Sequence, residues 1–513
     1  MKRRHLLAAS AAALARPALA QPQYASVLRF VPEADLPSPD PHRSDSRITR
    51  DHALLVFDTL FGIDSEGRPQ PQMLETYRVE QGGLQWRLSL RNGLYFHTLE
   101  RVLARDCVAS IRRWAARDPY GQALMAATGE LAAIDDRTIL FRLKTPFPLL
   151  PDVLGKTTGP ICAMLPSRVA ATDPGVEIAE IVGSGPFRYA AAEREPGKRV
   201  VYLRHEPYVP QRAATSGTAG AKEAFIERIE WQVMPDADAA TALLRGAVDW
   251  WGSVAPAQMA ALRKSPDVKL PLLAKDGLVA TLRPNHAQPP FDKPAIRRAL
   301  LGAISQHDCM VALNGDDGPA WRDNAGFFVP GPKLAAAPLP QDEAKRAVAA
   351  AGYTGDLVRL LVPAGRLAPL GETIAGLLRV LGMNVAIQGL APAAMAQALA
   401  SREPVAAGGW SLALGETEAA AQADPVGHAL LRGNGRDAAP GWPASPQLET
   451  LRTAWLAAPD PAWQARIAAQ MQAQAMQDVP YIPLGLSFPR SAHRSGLIGL
   501  IDGPPLFWSV RRK

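Results

Sequence analysis

The sequence predicts an α/β chain built as two or three lobes, and three observations carry that reading. At 513 residues the chain is too long for one hydrophobic core, since single cores stop growing at about 250–300 residues. An apolar content of 47% and a charged content of 20% are those of a globular protein. Stretches with the two-residue period of strands are interleaved with stretches of the helical i, i+3, i+4 period. Residues 283–306 show the junction of the two. Apolar GLVATLRPN reads as a strand, and Pro284, Pro289 and Pro290 force extended geometry after it. Asp292 is then placed to cap, Pro294 falls in a first helical turn, and Ile296, Ala299, Leu300, Ala303 and Ile304 form one helical face.

The other elements follow in order. Residues 1–21 have a basic start (Lys2, Arg3, Arg4), an apolar stretch and Ala18-Leu19-Ala20 before Gln21, the pattern of a secretory signal peptide. The Arg3-Arg4 pair fits a twin-arginine route loosely, and an ordinary Sec signal equally well. SVLRFVP reads as a short strand and residues 49–61 as a helix with Ala53, Leu54 and Phe57 on one face. Gly82-Gly83 followed by alternating Leu84, Trp86, Leu88 and Leu90 reads as a hairpin. Residues 104–117 form an amphipathic helix, RTILFRL a strand, and Gly183-Ser184-Gly185-Pro186-Phe187 a tight turn. A strand over 225–233, a helix from Asp236 to Gly246, and helices begun at Pro446 and Pro461 complete the pattern. The last is expected to turn Trp463, Ile467 and Met471 inward.

Several chemistries are disfavoured. Removal of the signal takes four basic residues and no acids, so the formal charge falls from +7 to +3, too little for nucleic acid binding. No apolar run reaches the length of a membrane-spanning helix. Cys107, Cys162 and Cys309 are widely spaced, without C-x-x-C; one pair could form a disulfide, while Cys107 on an apolar helix face reads as a buried thiol. Leu154-Gly155-Lys156-Thr157 lacks the first glycine of a phosphate loop and follows two prolines. The nine histidines show no i, i+4 pair and no H-E-x-x-H, so no metal site is expected, and G-x-S-x-G is absent.

The chain resembles family 5 of the extracellular solute-binding proteins of ABC transporters, the dipeptide, oligopeptide and nickel binders. Asn285, Pro290, Phe291, Asp292, Ile296, Arg297, Ala299 and Leu300 match its N-x-x-x-P-F-D-x-x-x-[VI]-R-x-A-[LI] segment. Its D-V-x-x-S-I-x-R is present as Asp106, Cys107, Val108, Ser110, Ile111 and Arg113, with Cys107 at the valine position. Gly183 to Phe187 match G-T-G-P-[FY], and Pro480, Ile482, Pro483 and Leu484 match P-x-[IV]-P-L. These matches run in order from about residue 27 to 508.

The resemblance implies a periplasmic-binding-protein-like fold: two lobes, a hinge and an inserted α+β subdomain. Lobe I would comprise 22–60, 182–283 and 482–513, the subdomain 61–181, and lobe II 284–481, with the hinge at the crossings near 283 and 482. It implies a periplasmic protein, monomeric and without cofactor, that captures a peptide-like solute between its lobes and delivers it to an inner-membrane ABC permease with its ATPase subunits. Candidate ligand-binding residues are Trp410, Ser411, Trp251, Asn285, Arg366, Thr49 and Gly185. In the peptide binders an aspartate three residues after the tryptophan of G-W holds the ligand ammonium; here that position is Ala413. Ordinary free-amine dipeptides are therefore expected to be poor ligands, unless Glu416, Glu418 or Asp424 takes over, and Arg366 is expected to meet an acidic or neutral end. An exported hydrolase is the competing class, and it would need a nucleophile or metal that no local motif supplies.

Overall fold

A computed structural model describes residues 25–273, 276–315, 318–334, 338–458 and 460–513; the expected signal peptide lies outside the described residues. Two large sheets and a smaller one organise the chain. The first runs, edge to edge, Val268–Lys269, Ala492–Arg494, Trp250–Trp251, Ala25–Val31, Ile226–Gln232, Arg199–Arg204, Phe187–Tyr189. The second runs Trp321–Arg322, Ile482–Ser487, Leu278–Pro284, Leu412–Glu418, Leu357–Pro363, Asn384–Leu390. The third, antiparallel, orders Leu74–Glu80, Gln85–Leu90, Thr138–Leu143 and Thr128–Ala133.

Each sheet has its own core. Strand alternation sends Phe30 and Trp250 to one face of the first sheet, where they meet Trp231, Tyr202, Phe507 and Trp508, and sends Val31 and Trp251 to the other. In the second sheet Leu282, Leu360, Leu412, Leu414, Ile482 and Leu484 pack on Ile296, Leu300, Met310, Leu370 and Ile374. The opposite face carries Leu361 and Ala413 under Met395, Trp410 and Trp442. The helix Ala104–Ala115 packs Cys107, Ile111 and Trp114 on the third sheet, against Trp86, Leu88 and Phe141. All three cysteines are buried and unlinked.

The chain passes between the large sheets at positions other than those expected. Leu278–Pro284 and Ile482–Ser487 are neighbouring strands of the second sheet, so residues 283 and 482 lie within it. Instead, residues 270–273 after the first sheet and 488–491 after the second lie side by side. Leu273 N donates to Pro489 O (2.8 Å), Ser491 N donates to Pro271 O (3.0 Å), and Arg490 Nη1 donates to Leu270 O (2.9 Å). Both strands accommodate their prolines: Pro284 sits at a strand end and Pro483 beside a register irregularity, places where a missing N–H is tolerated.

Other boundaries shift for identifiable reasons. The first helix is Arg47–Val56 and stops five residues early, because Asp58 leaves it to pair with Lys222 Nζ (2.6 Å) and to accept from Tyr208 Oη (2.9 Å). Asp292 caps nothing: the helix starts at Pro294, and Arg297 gathers the carbonyls of Phe291 (2.7 Å), Asp292 (3.2 Å) and Asp478 (2.7 Å). Trp463 is 48% exposed, lying against Arg466 rather than in the core.

Candidate ligand cleft

The first helix, Arg47–Val56, faces the second sheet across the space between the two large sheets. Its sequence RITRDHALLV carries charges at Arg47, Arg50 and Asp51, spaced i, i+3, i+4 and so on one side. Apolar Ala53, Leu54 and Leu55 pack into the first core. The charged side meets Glu416 and Glu418, which close the strand Leu412–Glu418.

The contacts there are specific. Arg50 donates to Asp51 Oδ1 from Nε (3.0 Å) and Nη2 (2.8 Å), reaches Thr157 O (3.4 Å) with Nη1, and crosses the cleft to Glu418. Arg47 Nε donates to Glu33 Oε2 (3.2 Å), just beyond the first strand. On the opposite wall Arg366 pairs with Glu416 and donates to Asn314 Oδ1 (3.0 Å), and Ser487 also meets it.

These groups act on one another through little water. Burial works against ionisation of Glu33, but Arg47, with Arg366 and Arg50 behind it, more than offsets this and holds the carboxyl below its ordinary range. Arg47 and Arg50 lose solvation on burial, yet Glu33, Glu416, Glu418 and Asp51 keep both firmly protonated. Asp51 is pushed the other way, up to about 6, because burial outweighs the pull of Arg50 and Glu418 adds repulsion.

The middle of this cleft is almost filled. Phe30, Glu33, Arg47, Arg50, Trp231, Ser253, Leu278 and Glu418 enclose about 40 Å³. Small-ligand sites usually offer about 300–1,000 Å³, so a peptide needs the two walls to part. Two wider spaces flank it. One of about 410 Å³ is bordered by Asn314, Arg366, Phe488 and Arg490, and one of about 340 Å³ by Arg50, Thr157, Gly277 and Glu418. At the outer end the small subdomain joins in, with Tyr120 Oη donating to Asp424 of the second wall.

Most of the residues expected at the site stand elsewhere. Trp410 is 1% exposed and sealed against Trp442 (centroids 6.1 Å apart). Trp251 lies on the face of the first sheet turned away from the cleft core, beside Ala239 and Leu243. Strand alternation is the reason: of the Trp250-Trp251 pair only Trp250 joins the inner aromatics. Asn285 is buried and spent on the backbone, donating to Trp410 O (2.9 Å) and accepting from Ala287 N (3.1 Å). Ser411 Oγ accepts from Arg359 N (3.1 Å) and ties neighbouring strands, and Thr49 Oγ1 donates to Ser38 O (2.9 Å). Gly185 backs the end of the first helix, where a Cβ would lie 2.8 Å from Leu55 O. Of the seven, Arg366 borders the wider space of about 410 Å³.

Sequence reasoning passed over Glu33, Arg47 and Arg50, and named Glu416 and Glu418 only as replacements for an acid at position 413. One signal pointed to them: a helix whose charged stripe is as regular as its apolar stripe, followed by glycines that pack on it. Among the described residues no group of three or more His, Cys, Asp or Glu side chains is arranged to hold a metal ion.

The comparisons with known proteins agree on what the architecture is. The family model for bacterial extracellular solute-binding proteins, family 5, matches residues 68–428. A probable peptide ABC transporter periplasmic-binding protein of Sinorhizobium fredii is 31% identical, over 92% of this chain and 91% of its own. A glutathione-binding protein of Escherichia coli is 24% identical over 90% and 89%. Among solved structures, the ABC transporter-associated periplasmic binding protein DppA from Helicobacter pylori, in complex with peptide STSA, superposes with a TM-score of 0.80 at 20% identity, covering 96% of this chain and 98% of that one. The chain belongs to the family 5 bacterial extracellular solute-binding proteins.

Proposed function

We propose that this protein captures a small peptide-like solute bearing charges of both signs in the cleft between its two large sheets, and hands it to an inner-membrane ABC permease with its ATPase subunits. The observation that carries the reading is the ion pair between Arg50 of the first wall and Glu418 of the second. It belongs to a set of opposite charges, Glu33, Arg47, Asp51, Arg366 and Glu416, that a zwitterionic ligand would divide and re-pair. Cations on both walls suit carboxylates, and acids on both walls suit an ammonium, which is how a peptide would be held without a catalytic group. The relatives named as peptide and glutathione binders support that ligand class.

In this reading lobe I is built on the first sheet, lobe II on the second, and residues 61–181 form the inserted subdomain. The paired segments at 270–273 and 488–491 belong to the hinge, displaced from the positions 283 and 482. Export uses the signal peptide at 1–21, and the mature protein works as a periplasmic monomer without cofactor or enzymatic activity. No helix of the described residues is long and apolar enough to cross a membrane.

Calorimetry of the mature protein against di- and tripeptides tests this. One-site binding with a Kd of micromolar or tighter is expected, with the peptide recovered intact and the radius of gyration reduced by closure. Cleavage of the peptide would favour the hydrolase; absence of binding across the panel would remove the peptide reading.

A further inference from the structure

The contact between Tyr120 and Asp424 joins the two walls outside the charged set assigned to the solute. Tyr120 stands in the helix Pro119–Ala127, within residues 61–181, and Asp424 follows the strand Leu412–Glu418 of the second wall. The phenol donates to Asp424 Oδ2. Asp424 Oδ1 accepts from Val426 N (2.8 Å) and Gly427 N (3.2 Å), which fixes the carboxylate. Burial, with the charge of Asp424 added, pushes the phenol well above its ordinary range, so it keeps the proton it donates.

Both sides are shaped for this contact. Gly427 lies against the Tyr120 ring, where a Cβ would fall 2.3 Å from a ring carbon, so only glycine allows the approach. Lys156 Nζ stands over the same ring, 5.7 Å from its centre, and pairs with Asp118 (2.5 Å). Asp118 in turn accepts from Tyr120 N (2.9 Å). The Leu154-Gly155-Lys156-Thr157 stretch thus commits its lysine to an aromatic ring and an acid. Its Thr157 O accepts from Arg50, which reaches Glu418 across the cleft. Ala123 and Leu149 pack with Tyr120 on the cluster of Phe327, Val426 and Leu430 in the second wall. Buried Arg113 meanwhile grips Asp40 by two bonds (3.0 and 2.7 Å), fastening residues 61–181 to the first wall. Parting the walls therefore pulls Tyr120 off Asp424.

We infer that Tyr120 is a positioning residue for closure: its bond to Asp424, seated on Gly427, latches the two walls and sets the ratio of closed to open protein without touching the solute. The inference rests on the lobe and hinge reading above. A solute that divides Arg50 from Glu418 leaves this bond intact, so the latch holds the cleft shut around it. A hydrogen bond to a charged group is strong enough to shift such an equilibrium by itself.

The test needs no ligand. Spin labels go on Arg117→Cys, within residues 61–181, and on Gln447→Cys, in the second wall; both sites are exposed, whereas the three natural cysteines are buried. Pulsed electron spin resonance on the dialysed mature protein then reads the distance between them. The natural protein is expected to show two distances, one closed and one open. Tyr120→Phe, which loses one oxygen and keeps the ring, should lower the closed-to-open ratio about ten-fold, the scale of a hydrogen bond to a charged group. Gly427→Ala, which pushes the ring off its seat, should lower the ratio in the same sense, and Asp424→Ala likewise. Two distances whose ratio is the same in every variant overturn the inference and leave the hinge standing, even where Tm has fallen. The open distance alone in the natural protein overturns it too. One unchanging short distance in all forms overturns both the latch and the hinge.

Discussion

The two large sheets hold their lobes together by different chemistry. The first is an aromatic assembly: Phe30 lies 5.1 Å from both Trp250 and Phe507, and Trp231 lies 5.0 Å from Tyr202, ring centre to ring centre. The second is aliphatic, with Phe291 the single fully buried ring among the described residues of its main core. Rings of this size interlock at fixed angles and leave few alternative packings, whereas leucine and isoleucine side chains repack at small cost. The first lobe therefore has the more brittle core, and the second the more forgiving one. Both present charged side chains to the cleft between them.

Removing one ring from the first lobe should have the largest effect. Trp231→Ala is expected to cost about 3–5 kcal/mol, read by urea unfolding of the mature protein, with hydrogen exchange rising along Ala25–Val31 and Ile226–Gln232. Loss confined to the second sheet would contradict the division into separate cores. Leu360→Ala, at the centre of the second core, should cost somewhat less, about 2–3 kcal/mol, near the low end for such truncations because the aliphatic neighbours can close in. If it destabilises more than Trp231→Ala does, the contrast between the cores is wrong.

Acidity probes the cleft between them and gives the smallest effect. Burial lowers His52, His97, His286 and His428 to about 3 and His42 to about 4. These stay neutral in the fold but charge in the unfolded chain below its ordinary pKa of about 6.5. They therefore withdraw stability as pH falls from about 6.5 toward 3. Asp51, raised to about 6, acts in the opposite sense: the fold keeps its proton where the unfolded chain has lost it, so its contribution weakens as pH rises from about 4 to 6. Comparing Tm of Asp51→Asn with that of the natural protein at each pH isolates the term. The difference should move in favour of the variant by a few degrees over that window; a constant difference would show that Asp51 titrates normally.

Much of the secondary structure was legible because it is local. The helix Ala104–Ala115, the strand Ile226–Gln232 and the helix Asp236–Arg245 with Gly246 as its left-handed cap follow from period and turn chemistry alone. Strand neighbours were not legible, since Leu278–Pro284 and Ile482–Ser487 are two hundred residues apart and their pairing depends on the whole fold. The cleft was read least well, for a related reason. A tryptophan after glycines, as Trp410, or at a strand edge, as Trp251, looks like a ligand contact in a linear chain, but only the fold decides that both turn into cores. Arg50 drew no reading at all, because its partner Glu418 is 368 positions away.

The pairing of distant strands also sets a schedule. Ala25–Val31 waits for Ile226–Gln232 and Trp250–Trp251, then for Ala492–Arg494 one strand further out, and its core takes Phe507, Trp508 and Val510. The second sheet needs only residues 278–487. As the chain leaves the ribosome the second lobe has all its parts first, while the first lobe keeps Phe30, Trp231 and Trp250 without their last partners until synthesis is almost over. The first core can close only when the last residues of the chain have been made.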